Sequence, residues 1–263
     1  QVKELITLCL RAIRKHTRPE LYEVVVVDNG SQDDSLDYLR SLPWIRLIER
    51  GKDVPENWVH AFITALDVGF ANSRSKYFTV MHSDTIVKHP GWLERLMAPL
   101  EADPTCAAAG AWKLELRHPV LEFTKNITDT KKARLWLRRT LLGDAEARQL
   151  KREICPRDYC ALYRSEPIRR LGLRFFRCDR WPRYTTGEQM YYQLKENGYR
   201  AEVIETREMM RYMVHLAHAT AGLRPEQRHL NHWRAQKKSE RRLRRLFGSD
   251  LARELAADVS LDR

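Results

Sequence analysis

The chain has 263 residues, 43% of them hydrophobic and 31% charged, with a formal net charge of +12 and a pI near 9.6. That length suits one large α/β domain with or without an appendage, and the apolar fraction is enough for a buried core. No apolar run reaches the roughly 20 residues of a membrane span, the opening QVKELITLCL lacks the basic flank and cleavage site of a signal peptide, and no G-x-G-x-x-G follows a strand, which excludes a dinucleotide-binding dehydrogenase.

In chain order, ELITLCLRAIRKHT (4–17) places Leu5, Leu8, Cys9 and Ile13 on a helical stripe that Arg18-Pro19 ends. EVVVVD (23–28) is a buried strand running into Asp28 and a cluster of turn formers. SLDYLRSL (35–42) is a helix, with Ser31 or Asp33 available as its cap. IRLIER (45–50) is a short strand and NWVHAFITALDVGFANS (57–73) a long amphipathic helix. KYFTVMHSD (76–84) is the next strand, PGWLERLMAPLEAD (90–103) a helix with Pro90 in its first turn, and CAAAGAWKLEL (106–116) a small-residue strand. The order β-α-β-α-β-α-β predicts a mostly parallel sheet with helices on both faces.

From about Arg117 to Ile154 this rhythm breaks, and the basic, amphipathic TKKARLWLRRTLLGDAEARQLKREI reads as a helical insertion. DYCALYR (158–164) is a strand again, and TTGEQMYYQLKENGYRAEVIE (185–205) is a helix, a stop at Gly198 and a strand. The tail from Arg224 is helical, with a dense basic block from Arg234 to Arg245. Cys9, Cys106, Cys155, Cys160 and Cys178 are odd in number and scattered, which argues against a disulfide framework and for free thiols in a reducing cytosol.

Ligands of open parallel sheets bind beyond the carboxyl ends of the strands, and Asp28 and Asp84 both stand at such ends. His82 and Asp84 are two apart in extended chain, so their side chains share a side and could converge on one ion, a divalent metal bridging a diphosphate. The plain alternative for each aspartate is a cap on the turn that follows. His215 and His218 are three apart, sharing a face if helical and able to reach a metal from a loop. Glu188 lies just inside a helix N-terminus, where the dipole favours the ionised carboxylate that a general base needs; a helix-start Glu without chemistry is the plain alternative.

Together these clusters resemble the inverting glycosyltransferases of family two, which have the GT-A fold. The resemblance runs from Glu4 to about Thr220. EVVVVDNGSQDDS is similar to the family's nucleotide-binding strand and turn, MHSDTIVKHPGWLERL to the strand carrying the DxD motif and the helix after it, CALYRSEPIRRLG with GEQMYYQLKENGYRA to the acceptor-side strand and base-bearing helix, and HLAHAT to the late histidine of the metal site. The resemblance implies a GT-A domain over 1–222, with a nucleotide-binding half to about 110 and an acceptor-binding half from about 111, and a basic helical extension over 223–263. It implies nucleotide contacts at Asp28, Asn29, Ser31 and Asp84, and Mn or Mg held by Asp84, His82 and His215 or His218. Arg224 and Lys88 would lie on the diphosphate and Glu188 would be the catalytic base. Trp181, Tyr184 and Tyr191 offer aromatic faces for an acceptor sugar.

Three positions depart from the family pattern. The first DxD carboxylate is His82. The usual Glu-Asp of the base motif is Glu188-Gln189, and Gln189 cannot accept a proton. The apolar strand that opens the family precedes the helix starting here near Lys3 and is missing, as expected of a piece of a longer reading frame or of an unusual register. The implied activity is transfer of a sugar from a nucleotide-sugar donor to a glycan or lipid-linked acceptor, in polysaccharide, glycolipid or other glycoconjugate synthesis. The implied location is cytoplasmic, peripheral on the inner face of the membrane through the basic tail. Two rivals stand beside it. One is a degenerate GT-A fold that binds without turnover, favoured by His82, Gln189 and the missing strand. The other is a nucleic-acid-binding protein, against which the basic residues join no recognition helix, ribonucleoprotein motif or zinc module, so no nucleic-acid partner is expected.

Overall fold

The computed structural model describes residues 2–51, 58–113, 137, 140, 141, 153–177, 185–216, 219, 223 and 233–263. The chain divides into two compact units, residues 1–114 with 155–263 and residues 115–154. The second coincides with the expected insertion, whose helical reading lies outside the described residues.

The larger unit runs α1 (Val2–His16), β1 (Val24–Asp28), α2 (Ser35–Ser41), β2 (Ile45–Glu49), α3 (Trp58–Ala71), β3 (Tyr77–Met81), β4 (Thr85–Val87), α4 (Trp92–Ala102) and β5 (Cys106–Ala111). After the insertion come β6 (Cys160–Arg164), α5 (Ser165–Arg170), α6 (Thr186–Glu196), β7 (Arg200–Ile204), α7 (Thr206–Tyr212), β8 (Met213–His215), α8 (Trp233–Phe247) and α9 (Asp250–Ala257). β1 pairs with β2 in parallel, Val24 opposite Ile45. A four-stranded sheet has the order β3-β6-β5-β7, with β5 and β7 parallel.

Strand β6 and the short β4–β8 ladder, which is antiparallel, depart from the parallel expectation. β6 is antiparallel to both β3 and β5, Cys160 facing Met81 and Ala161 facing Gly110. The physical reason is where the chain re-enters. β5 ends at Ala111, whose carbonyl accepts from Arg157 N (3.1 Å) and from the Tyr159 hydroxyl (2.7 Å). The chain therefore returns at the edge it left, and β6 can only run back. A second short ladder, β4 with β8, pairs Thr85 with His215, so MVH is strand where helix or loop was expected.

Side chains of β6 alternate between two cores, as a doubly covered strand must. Cys160 and Leu162 join Leu5 and Leu8 of α1 and Leu96 and Leu100 of α4; Ala161 and Tyr163 join Ile63 of α3, Ile168 of α5 and Met190 and Leu194 of α6. Gly110 marks the closest approach of the strands: a Cβ there would stand 2.9 Å from the Cys160 carbonyl oxygen and 3.1 Å from Pro156 Cβ. Gly110→Ala is expected to destabilise the fold by roughly 1–3 kcal/mol, because backbone rather than a flexible side chain must give way; a urea midpoint equal to wild type would sink this.

The carboxyl-terminal helices pack into the same core through Leu243, Leu246, Ala252 and Leu255. Arg11 of α1, 6% exposed, fastens them. Its guanidinium donates to the carbonyls of Leu255 (2.9 Å) and Ala256 (2.7 Å) and to both carboxylate oxygens of Asp262, Nε at 2.8 Å. The Tyr38 hydroxyl donates to the same carboxylate at 2.9 Å.

Candidate functional site

The turn between β3 and β4 carries the densest chemistry. The His82 amide donates to the Tyr159 carbonyl (3.1 Å) and the Thr85 amide to the His82 carbonyl (3.0 Å), so backbone bonds fix the turn. Asp84 is 4% exposed. Its Oδ2 accepts from the Ala219 amide (3.2 Å) and its carbonyl from the Leu216 amide (3.0 Å). Oδ1 lies 3.1 Å from His215 Nε2 and 3.8 Å from His82 Nδ1. The contact with His215 has the distance of a hydrogen bond without its alignment, and leaves both buried atoms without a bonded partner.

Burial pushes the Asp84 carboxyl up, but close contact with His215, the positive fields of His215 and His82 and the Ala219 amide outweigh it and bring the group down to about 2. Tyr159 stacks on His215 at 4.9 Å and 25°, and the Phe62 ring meets His82 edge-on at 4.9 Å. Ligand atoms of His82, Asp84 and His215 all lie within 4.8 Å of one another. Two imidazoles and one carboxylate, with orphaned buried atoms aimed at shared space, fit a divalent cation. Cys9 Sγ approaches the His82 carbonyl at 3.9 Å, and burial first, then the Asp84 charge, push its thiol up to about 12, so it stays neutral.

Across the same sheet edge lies the start of α6. Glu188 is fully buried as the third residue of a capping box: its Oε2 accepts from the Thr185 amide (2.8 Å) and hydroxyl (3.0 Å). Oε1 lies 3.2 Å from Arg157, which also donates to the Thr185 hydroxyl at 2.8 Å and covers the Trp112 ring at 4.5 Å. Gln189, also buried, accepts from the Arg177 amide at 2.8 Å and so holds the segment before α6. Gly187 lets α6 approach, since a Cβ there would stand 2.8 Å from the Pro156 carbonyl oxygen.

At the end of β1, Asp28 is 7% exposed and its Oδ2 accepts from the amides of Gly30 (2.9 Å) and Ser31 (3.0 Å). The turn-capping alternative is thus realised, with Gly30 at φ 79°. Asn29 Nδ2 and Arg50 both donate to the Ala61 carbonyl (3.2 and 2.9 Å). Ala61 and Phe62 are neighbours in α3, so one turn of that helix supports both the Asn29 turn and His82.

Asp84, His82 and His215 are thus brought together. Lys88 is not brought to them by any hydrogen bond: its Nζ donates to the Met210 carbonyl (2.5 Å) and burial lowers its pKa. Tyr191 is half-buried on α6, its ring against Tyr192 at 5.2 Å. His218, Arg224, Trp181 and Tyr184 lie outside the described residues. Arg157, Asp158 and Tyr159 were missed, because only the reversal of β6 brings them to this edge. An open hollow of about 460 Å³ lined by Arg74, Lys76, Arg164 and Arg169 lies at the amino end of β3, away from Asp84.

Against known proteins, the sequence model of Glycosyl transferase family 2 matches residues 2–172. An uncharacterized glycosyltransferase of Haemophilus influenzae is 31% identical over 93 residues, 35% of this chain and 28% of that protein. A mannosyltransferase from Pyrobaculum calidifontis, solved in complex with GDP-Man and Mn2+, shares the fold with a TM-score of 0.51 at 16% identity, over 97% of this chain and 75% of that one.

Proposed function

This chain belongs to Glycosyl transferase family 2 and has its GT-A fold, and from that membership we propose that it transfers a sugar from a nucleotide-sugar donor to an acceptor hydroxyl, with inversion. The observation that carries the reading is the His82, Asp84 and His215 cluster at the carboxyl edge of the sheet.

In the displacement, the acceptor oxygen bonds to the anomeric carbon as the bond to the diphosphate breaks. His82, Asp84 and His215 would hold a divalent cation, whose charge neutralises the leaving diphosphate. The imidazoles favour Mn over Mg, which prefers oxygen ligands. Asp28 shapes the β1 turn by capping it, and Asn29 is fixed against α3, so this turn offers a rigid wall for the nucleotide. Glu188 accepts the acceptor's proton. For that, Arg157 has to leave Oε1, and Trp112 and the Thr185 hydroxyl give it other seats; catalytic contacts are often misaligned until substrate binds.

Calorimetric titration with UDP and GDP, each with and without Mn, tests the reading. The mannosyltransferase with GDP-Man and Mn2+ makes the guanine nucleotide the first to try. Mn-dependent binding of one nucleotide with transfer supports it, binding without transfer favours the degenerate-fold alternative, and no binding of either removes both UDP and GDP as the donor's nucleotide. Glu188→Gln is expected to lower transfer by about 100- to 10,000-fold with nucleotide binding kept, and to cost about 1 kcal/mol through the weakened cap. Transfer at the wild-type rate would confine Glu188 to the helix start.

The membrane contact falls to α8. Leu243 and Leu246 face the core while Lys237, Arg241, Arg244 and Arg245 are exposed, and no helix among the described residues is long and apolar enough to cross a membrane. Each cation near an anionic surface contributes about 1 kcal/mol. Reversing Arg241, Arg244 and Arg245 to Glu should therefore reduce sedimentation with phosphatidylserine vesicles at least about tenfold, and equal sedimentation would remove α8 from this role.

A further inference from the structure

His82 stands between two carboxylates. Its Nδ1 lies 3.8 Å from Asp84 Oδ1, and its Nε2 lies 4.0 Å from Asp158 Oδ1. A neutral imidazole gives a cation one nitrogen and carries hydrogen on the other, and the group facing that hydrogen fixes the tautomer and the ring orientation. We propose that Asp158 is the positioning residue of the cation site, holding His82 so that Nδ1 points into the space shared with Asp84 and His215. This rests on the cation reading given above.

Charge supports the same assignment. Asp84 alone brings one negative charge to a divalent ion, and the two histidines bring none when neutral. Asp158 supplies a second from the turn before β6, next to the position where histidine stands in place of a carboxylate. The neighbouring cation does not cancel it, because the Arg157 guanidinium is engaged with Glu188, Thr185 and Trp112. Among the described residues, His82 is the one basic side chain within ion-pair distance of Asp158.

The seat of Asp158 is built rather than incidental. The Arg157 amide is bonded to the Ala111 carbonyl (3.1 Å), and the Cys160 amide to the Arg157 carbonyl (3.3 Å). A Cβ on Gly187 would stand 3.2 Å from the Asp158 amide nitrogen, so α6 closes on the segment from the other side. The Asp158 side chain is 16% exposed and that of His82 28%, so water competes little for their contact. Phe62, edge-on against His82, limits the ring's other orientations.

The test is titration with Mn alone, followed by the paramagnetic resonance of free Mn, on the whole chain. Asp158→Asn is expected to weaken Mn binding by about 10- to 100-fold, the range for such outer partners, and Asp158→Glu to restore most of it. In a His82→Asn background, Asp158→Asn should cost clearly less than it does in the wild type, because only the field of the carboxylate, and not its hold on His82, is left to lose. Wild-type Mn affinity in Asp158→Asn overturns the role of Asp158 and leaves the cation site standing. An equal further loss in the His82→Asn background, or a large fall in unfolding midpoint without Mn, also overturns it, as a merely structural effect. No Mn binding by the wild type overturns the cation site and this inference together.

Discussion

Asp84→Asn is expected to lower sugar transfer by at least about 100-fold, the scale on which removing one electrostatic stabiliser acts, and to abolish stabilisation by Mn. The substitution isolates charge from shape. Asn keeps an oxygen for the Ala219 amide and leaves the backbone bond from Leu216 untouched, so the turn should persist. What disappears is the negative charge between two imidazoles at a site 4% exposed. The measurement is the shift in thermal midpoint on adding Mn, beside transfer from the nucleotide sugar that binds. A Mn-induced shift equal in the variant and the wild type would remove Asp84 from the cation site.

The pH dependence carries a sign. The Asp84 carboxyl is lowered to about 2 in the fold, so its stabilising contribution is complete above the ordinary carboxylate value near 4 and is lost as pH falls toward 2. Between pH 4 and 7 the group stays ionised, and protons do not compete with a cation for it. Unfolding midpoints of wild type and Asp84→Asn should therefore converge as the pH is lowered below about 4.

Asp262→Ala is expected to cost roughly 2–4 kcal/mol of stability. Arg11 would remain buried with two of its carbonyl partners and no counter-charge, and removing one member of a buried ion pair is far costlier than removing an exposed one. The Asp262 side chain is 25% exposed, which sets the figure below that of a fully buried pair. The Arg11 contact, against some burial penalty and with help from Tyr38, holds this carboxyl below its ordinary value. Its contribution is present above about pH 4 and lost as pH falls through the lowered value. Urea midpoints should thus differ most between variant and wild type near neutrality. A control, Lys3→Ala, breaks an exposed pair with Asp34 and should change stability by under about 1 kcal/mol. Equal midpoints for Asp262→Ala and wild type would show that the clasp adds nothing.

Much of this was legible because the physics is local. A run of β-branched residues announced β1 and an apolar run announced β3, and the turn formers after them announced where acidic side chains would emerge. Gly198, at φ 81°, stops α6 as its lack of a side chain allows. The Thr185 to Glu188 spacing is that of a capping box, a signal present in the sequence that competed with the catalytic reading of the same glutamate. His215 was legible as a residue type but not as the end of a strand, since three residues of β8 are held by β4 rather than by their own propensity. Asp158 was not legible at all. Its place beside His82 depends on β6 running backwards in register with β3, which follows from the chain leaving and re-entering one edge across residues 115–154. The basic tail was readable as a helix, but its burial rests on partners in α1 that no local pattern names.

The Arg11 to Asp262 contact joins positions 251 apart in sequence. During synthesis, α1 emerges early, yet the groups that satisfy its buried guanidinium are translated only with α9 and the turn after it. At about 5–20 residues per second, that leaves an interval of roughly 12–50 seconds in which α1 cannot complete its native burial. Its apolar stripe, Leu5, Leu8 and Ala12, can be covered sooner by α4 and β6, so what waits is the Arg11 guanidinium. The buried charge of α1 thus finds its native partners only when residues 255–262 have been made, which ties the completion of this helix to the far end of the fold.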